Sequence, residues 1–261
     1  MQRRSTSSGA SELAGAATAG PERAAGPGPE PVNNPDPDPD HPPITRVLAI
    51  RHGKTDWNVA ARIQGQRDIP LNACGHQQAH RLALALVDER LDAVYSSDLQ
   101  RAWQTAQALT IGHGHDRPLH ADIGLRERGF GVFEGLTFAE IVQRWPVQSE
   151  RWRRRDASFG AAGGEVLGDF YARCMATLTR LACAHPGQTI AIVAHGGVLD
   201  CLYRAASHLA VDAPRSWELG NAAISRLLYS PQGFIRIGWN DTRHLDFPAH
   251  DPSVFTAPPL A

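Results

Sequence analysis

Two apolar runs that each end in a histidine and a glycine constrain this chain more than any other feature. Val47-Leu48-Ala49-Ile50 passes directly into Arg51-His52-Gly53, and Thr189-Ile190-Ala191-Ile192-Val193-Ala194 passes into His195-Gly196-Gly197. An uninterrupted apolar run bounded by Gly reads as a strand buried on both faces, as in a parallel sheet. Two such strands can bring both imidazoles to the carboxyl edge of one sheet, where open α/β sheets bind their ligands. Arginine offers five fixed donors suited to phosphate, and imidazole acts as nucleophile or proton carrier. Gly53 is expected to let the backbone come close to a bound anion. The ligand implied is a phosphoryl group.

The rest of the chain fits a sheet covered by helices. After a polar loop from Asn58 to Leu71, the residues Ala79, Leu82, Ala83, Leu86 and Val87 recur at helical spacing, which predicts an amphipathic helix of about four turns. Ala93-Val94-Tyr95 reads as a short buried strand. Ser97 or Asp98 is expected to cap the next helix, which carries Arg101 in its first turn and turns Ala102, Thr105, Ala106 and Leu109 inward. A short helix is expected from Thr137 to about Trp145. The run Arg151-Trp152-Arg153-Arg154-Arg155 reads as a solvated helix face, with a rim that recruits anionic substrates as the alternative. Leu167, Phe170, Tyr171, Cys174, Leu178 and Leu181 form a core stripe, and a helix from about Val198 to Ser207 follows the second histidine.

Ala222 to Tyr229 and Phe234 to Trp239 read as strands on either side of a turn at 230–233. Strands alternating with helices predict an α/β fold, a three-layer α/β/α sandwich with a mostly parallel sheet, formed by one domain over residues 44–245. Residues 1–43 are rich in Pro, Ala, Gly and Asp and hold no aromatic residue. They lack the apolar surface to offset roughly 1–2 kcal/mol per residue of backbone ordering and are expected to be a disordered extension. Residues 246–261 read as a C-terminal loop or tail.

A formal net charge of -1 provides no global field for nucleic acid or acidic membranes, so anion recognition must be local and the partner a small anionic molecule. The four cysteines, Cys74, Cys174, Cys183 and Cys201, form no metal-ligand pattern and suggest reduced thiols in the cytoplasm. No apolar run approaches the ~20 residues of a membrane span, and Glu12 interrupts what would be the apolar part of an export signal. Assembly into a homodimer is left open.

Taken together, Arg51-His52-Gly53, the stretch Tyr95-Ser96-Ser97-Asp98-Leu99-Gln100-Arg101-Ala102-Trp103-Gln104-Thr105-Ala106, Leu125-Arg126-Glu127 and His195-Gly196 resemble the motifs of the histidine phosphatase superfamily, the phosphoglycerate mutase-like proteins. The resemblance covers about residues 44 to 240. It implies a phosphoglycerate mutase-like fold with His52 as the phosphorylated nucleophile and Glu127 as general acid. It further implies Arg51, Arg101, His195 and Asn58 as phosphate ligands and Gln64-Gly65 as a contact to the substrate. Arg51, Arg101 and His195 would carry the charge stabilisation that Mg²⁺ supplies elsewhere, so neither metal nor cofactor is required.

Glu134, the competing carboxylate, is expected to hold its loop. Two positions depart from the family: Lys54 stands where Glu or Gln is frequent, and Gly164-Glu165-Val166 resembles a Gly-Glu-Ser motif without its hydroxyl. The activity implied is hydrolysis of a small phosphorylated metabolite. The alternative is a 2,3-bisphosphoglycerate-dependent phosphoglycerate mutase, against which stands the compact segment from Phe130 to Ala194, since mutases of the family carry a long insertion there. A binding protein without chemistry is opposed by the joint presence of Arg51, His52, Arg101, Glu127 and His195.

Overall fold

The computed structural model describes residues 43–111 and 118–246; the expectations for the N-terminal extension up to residue 42 and for residues 247–261 lie outside them. Strand β1 (Thr45–Arg51) leads through a short helix α1 (Asp56–Val59) and helix α2 (Ala73–Ala85) to β2 (Ala93–Ser96), helix α3 (Gln100–Ala108) and β3 (Leu119–Ala121). Helices α4 (Phe138–Arg144), α5 (Pro146–Arg153) and α6 (Leu167–Cys183) precede β4 (Thr189–Ala194) and α7 (Gly196–Ala206), and β5 (Ile224–Ser230) and β6 (Gly233–Asp241) complete the sheet. The strand order is β3-β2-β4-β1-β5-β6; the β1–β5 and β5–β6 pairs are antiparallel and the other three pairs parallel. The fold is the mostly parallel three-layer α/β/α architecture that the sequence predicts.

Successive residues of a strand point to opposite faces. Val47 and Ala49 of β1, with Ile190 and Ile192 of β4, pack into one core with α6 and α7. Leu48 and Ile50, with Ala191 and Val193, pack into a second core with α2 and α3. Strands covered on both sides must be apolar at every position, which is why these two runs lack alternation. A third, smaller core of Phe133, Ile141, Phe159 and Ala161, with Trp145 and Trp152 against it, lies under the segment between β3 and α6.

Several local expectations shift. Helix α2 ends at Ala85, and Val87, expected on its inner face, is 48 % exposed. The loop expected from Asn58 begins within α1, where Thr55 and Asn58 form a capping box. Neither Ser97 nor Asp98 caps α3: Asp98 is drawn into an ion pair with Arg126, and the N–H of Gln100 goes to Asp68 Oδ1 at 2.7 Å. A distant carboxylate does the capping because the local one is already engaged. Strand β3 escapes the sequence reading, since none of its three residues is buried, and α5, expected only as a helix face over 151–155, starts earlier at Pro146, ends at Arg153 and buries only Ser149. No helix among the described residues is long and apolar enough to cross a membrane.

Candidate active site

Because Arg51 pairs with Ala194 in the β1–β4 register, the residues that follow both strands emerge side by side. The His52 N–H donates to the Ala194 carbonyl at 3.0 Å, and the His52 and His195 ring centroids are 5.2 Å apart. His52 Nδ1 lies 2.7 Å from the Gly53 carbonyl. A carbonyl only accepts, so Nδ1 carries the proton and Nε2 keeps its lone pair. Burial, then the positive charges of Arg101 and Arg51, push the His52 pKa well below the ordinary histidine value of 6.5. A buried imidazole, neutral at neutral pH, with one free nitrogen has the form that can act as a nucleophile.

His195 is wholly buried, and burial followed by Arg101, His52 and Arg51 also pushes its pKa well down. Both its ring nitrogens are buried without a partner among the described residues. Gly53 departs from expectation. A Cβ there would sit 2.7 Å from the Gly75 carbonyl oxygen, and the Gly53 N–H donates to Thr105 Oγ1 at 2.9 Å. Glycine is needed at this position for the close packing of α2, and its amide is already used, so it does not serve the approach of an anion.

Arg51 donates from Nη1 to the Leu219 carbonyl, while its Nε is buried and unpartnered. Arg101 is wholly buried, donating to the Arg67 carbonyl at 2.7 Å and the Gly65 carbonyl at 2.8 Å, again with Nε free. Burial lowers its pKa to about 10, with Glu127 opposing the shift, so the guanidinium stays charged at neutral pH. Asn58 Oδ1 accepts from Thr55 N and Thr55 Oγ1, both at 3.0 Å, and from Asn221 Nδ2 at 3.3 Å. With its carbonyl end committed, the NH2 of Asn58 is the end left for a ligand. Gln64 Oε1 is buried and unpartnered, whereas the Gly65 carbonyl is taken by Arg101.

Glu127 enters from the loop after β3. Its Oε1 accepts from Arg128 N at 2.8 Å and its Oε2 from Gly197 N, in the first turn of α7, at 3.0 Å. A Cβ on Gly197 would collide with Glu127 Oε1 and lie 3.0 Å from Phe170 Cζ, so the helix must start with glycine for the carboxylate to fit. Glu165, in the Gly-Glu-Val stretch, accepts from Gly129 N and pairs with Arg173, which in turn donates to the carbonyls of Gly124 and Arg126. This pair holds the Glu127 loop. Glu134 accepts from Gln66 N and Phe130 N, both at 3.0 Å, the loop-holding role expected of it.

These side chains face a cavity of about 340 Å³ lined by Arg51, His52, Asn58, Gln64, Gly65, Arg101 and Glu127, and on a more exposed, outer side by Phe130, Trp152, Arg155 and Arg215, with the buried Asp200 beside Arg155. His195 does not line it, standing instead against His52; Lys54, Glu134 and Val166 are also absent from its wall. The basic run divides. Arg151 pairs with Asp156, and Arg153 and Arg154 pair with Glu150 on the surface, as a solvated face does. Arg155 turns to the cavity and to Asp200, as a rim does.

Sequence reading missed Arg128, Asp200 and Arg215 on the wall; of these only Asp200, one turn beyond Gly196 on α7, carried a findable signal in its helical spacing. The walls hold arginines at 51, 62, 101, 128, 155 and 215 against two carboxylates, Glu127 and Asp200. Such an arrangement binds anions and presents to them a neutral imidazole and a carboxyl group. No group of three or more His, Cys, Asp or Glu side chains among the described residues could share a metal ion.

The chain matches the family model of the histidine phosphatase superfamily (branch 1) over residues 47–242. It is 36 % identical over 205 residues to the phosphoglycerate mutase-like protein 4 of Arabidopsis thaliana, covering 77 % of this chain and 86 % of that one. Among solved structures, a mycobacterial glucosyl-3-phosphoglycerate phosphatase complexed with VO3 superposes with a TM-score of 0.68 at 32 % identity, covering 76 % of this chain and 99 % of that one. The phosphoserine phosphatase of Entamoeba histolytica in complex with 3-phosphoglyceric acid gives 0.69 at 28 % identity, covering 77 % and 99 %.

Proposed function

We propose that this chain, which belongs to the histidine phosphatase superfamily, is a phosphomonoester hydrolase that acts on a small phosphorylated metabolite through a phosphohistidine at His52. One observation carries the reading: a neutral His52 with Nδ1 tied to the Gly53 carbonyl keeps its Nε2 free beside two arginines, the half-buried Arg51 and the buried Arg101, that each have a buried, unpartnered Nε. The phosphatase names of two structural neighbours support hydrolysis. A cytoplasmic site of action fits the four free cysteines.

In the first step the Nε2 lone pair of His52 attacks phosphorus as the P–O ester bond breaks, and Glu127 gives its proton to the leaving alkoxide. Charge on the equatorial oxygens is met by Arg51, Arg101, Asn58 and, once the oxygens reach it, His195. Glu127, now a carboxylate, then takes a proton from the water that attacks phosphorus. The P–N bond breaks, its electron pair returns to Nε2, and inorganic phosphate leaves. The chemistry needs nothing beyond these side chains and water.

Brief exposure to labelled substrate followed by an alkaline quench should trap an acid-labile phosphoprotein, and label retained in His52→Ala would refute the assignment. The second reading, a 2,3-bisphosphoglycerate-dependent mutase, draws on the name of the plant relative. Phosphate release that needs no 2,3-bisphosphoglycerate supports the hydrolase; isomerisation of a phosphoglycerate that requires it, without phosphate release, supports the mutase.

A further inference from the structure

We propose that Asp200 accepts a hydrogen bond from a substrate hydroxyl, so that the phosphomonoesters turned over best are those of polyhydroxy compounds, polyols and sugars. This rests on the phosphohydrolase reading and specifies its substrate class. Asp200 sits on the cavity wall and is only 4 % exposed. Its Oδ2 takes Arg155 Nη2 at 2.7 Å and Arg204 Nε at 2.9 Å. Its Oδ1 is buried and has no partner among the described residues.

A buried carboxylate oxygen needs a donor. Most donors around it are engaged elsewhere: Arg155 Nε gives to the Val211 carbonyl, Arg204 Nη1 to the carbonyls of Ala210 and Ala213, and the Arg204 guanidinium lies 4.7 Å over the Trp217 ring, which leaves Arg204 Nη2 without a partner among the described residues. Arg204 Nη2 makes no hydrogen bond to Asp200, and the other source of a donor is what enters the cavity, whose 340 Å³ falls in the range that holds a small molecule and not only its phosphoryl group. An ammonium does not fit. Asp200 lies between two guanidiniums, so the group as a whole is positive, and Arg51 and Arg215 share the same wall. A hydroxyl gives the proton without bringing a charge.

The test compares kcat/KM within one protein for propyl phosphate, glycerol 3-phosphate, sorbitol 6-phosphate and O-phosphoethanolamine, with p-nitrophenyl phosphate as the general measure of hydrolysis. A hydrogen bond to a charged acceptor should favour the polyol esters over propyl phosphate by about tenfold or more. In Asp200→Asn the amide oxygen must face the two arginines, which turns the NH2 to the free side and replaces the acceptor with a donor. The polyol preference should then disappear. Because the readout is a ratio of two substrates in one variant, damage to the fold lowers both and leaves the ratio interpretable.

Equal turnover of polyol and propyl esters by the natural protein, a preference for the ammonium ester, or a polyol preference kept in Asp200→Asn would each overturn the proposal. The last is what a water held between Asp200 Oδ1 and the unpartnered Arg204 Nη2 would give. Failure to hydrolyse even p-nitrophenyl phosphate would bring down the hydrolase reading and this proposal with it, whereas hydrolysis without a polyol preference removes only the role of Asp200.

Discussion

On the sheet-edge side of the cavity, His52 and Arg101 come from a strand end and the start of a helix, and they are 3 % and 0 % exposed. On the outer side, Phe130, Trp152 and Arg155 come from the segment between β3 and α6, which packs around its own small core. In the first group His52 is held by the carbonyl of the next residue and Arg101 by two carbonyls of the loop after α1; in the second Phe130 packs on Trp152 at 5.5 Å, and Arg155 is tied to the Val211 carbonyl and Asp200. Groups that touch the reacting phosphorus must be held within tenths of an ångström, whereas groups that choose the rest of the substrate tolerate more latitude. A separate core under the outer wall lets that wall vary while the sheet edge stays in place.

If the sheet edge, together with Glu127 that the Gly197 N–H anchors to it from the β3–α6 segment, carries the chemistry and the outer wall carries selection, the largest effect should follow from losing the acid. Glu127→Gln is expected to lower the rate on alkyl phosphates by about 10²–10⁴-fold and the rate on p-nitrophenyl phosphate far less, provided that phosphorylation limits turnover. Equal losses on both would point to water activation or folding. Gly197→Ala should reproduce the pattern without touching Glu127, because the added Cβ displaces its carboxylate.

Next in size is Arg101→Lys. It loses the fork that spans the Gly65 and Arg67 carbonyls and should weaken phosphate or vanadate inhibition by about 1.5–3 kcal/mol. Unchanged inhibition would sever Arg101 from the site.

The buried histidines mark the sheet edge in the pH profile of stability. Their pKa values are lowered on folding, so they remain neutral in the folded protein while the unfolded chain binds protons below about pH 6.5. Their stabilisation is therefore complete above that value and lost as pH falls towards the folded pKa, by up to about 1.4 kcal/mol per pH unit for each. Urea midpoints at about pH 7.5 and about pH 5.5 should fall less for His195→Gln than for the natural protein. An equal fall would show that His195 is protonated in the folded state.

The smallest effect belongs to the outward half of the basic run. Arg153→Ala with Arg154→Ala should leave Tm and kcat/KM unchanged, since both pair with Glu150 at the surface. A clear loss of kcat/KM at low salt would extend the rim beyond Arg155.

The strand-ending histidines and the three layers were legible because each depends on contiguous residues, an apolar run or a helical period; of the loop-holding bonds of Glu134 only the one from Phe130 N is local, the one from Gln66 N being long-range. The capping of α3 was misread because Ser97 and Asp98 have the right chemistry for it locally, while the ion pair to Arg126 and the reach of Asp68 are long-range facts. The close neighbour of Gly53 is invisible in the sequence for the same reason, since Gly75 closes on it from α2. Arg215 carries no local signal at all.

By itself the sequence determined that two buried strands deliver Arg51, His52 and His195 to one edge, because burial on both faces leaves an unmistakable apolar run ending in polar groups. Only the tertiary structure decided the state and aim of those groups. The Gly53 carbonyl sets the tautomer of His52, and burial beside Arg101 and Arg51 keeps it neutral. The Gly197 N–H orients Glu127 from across the fold, and Asp200 is left with one free oxygen beside Arg155 and Arg204. Hydrogen-bond partners and local dielectric depend on what packs nearby, and neither leaves a period or a spacing in the chain.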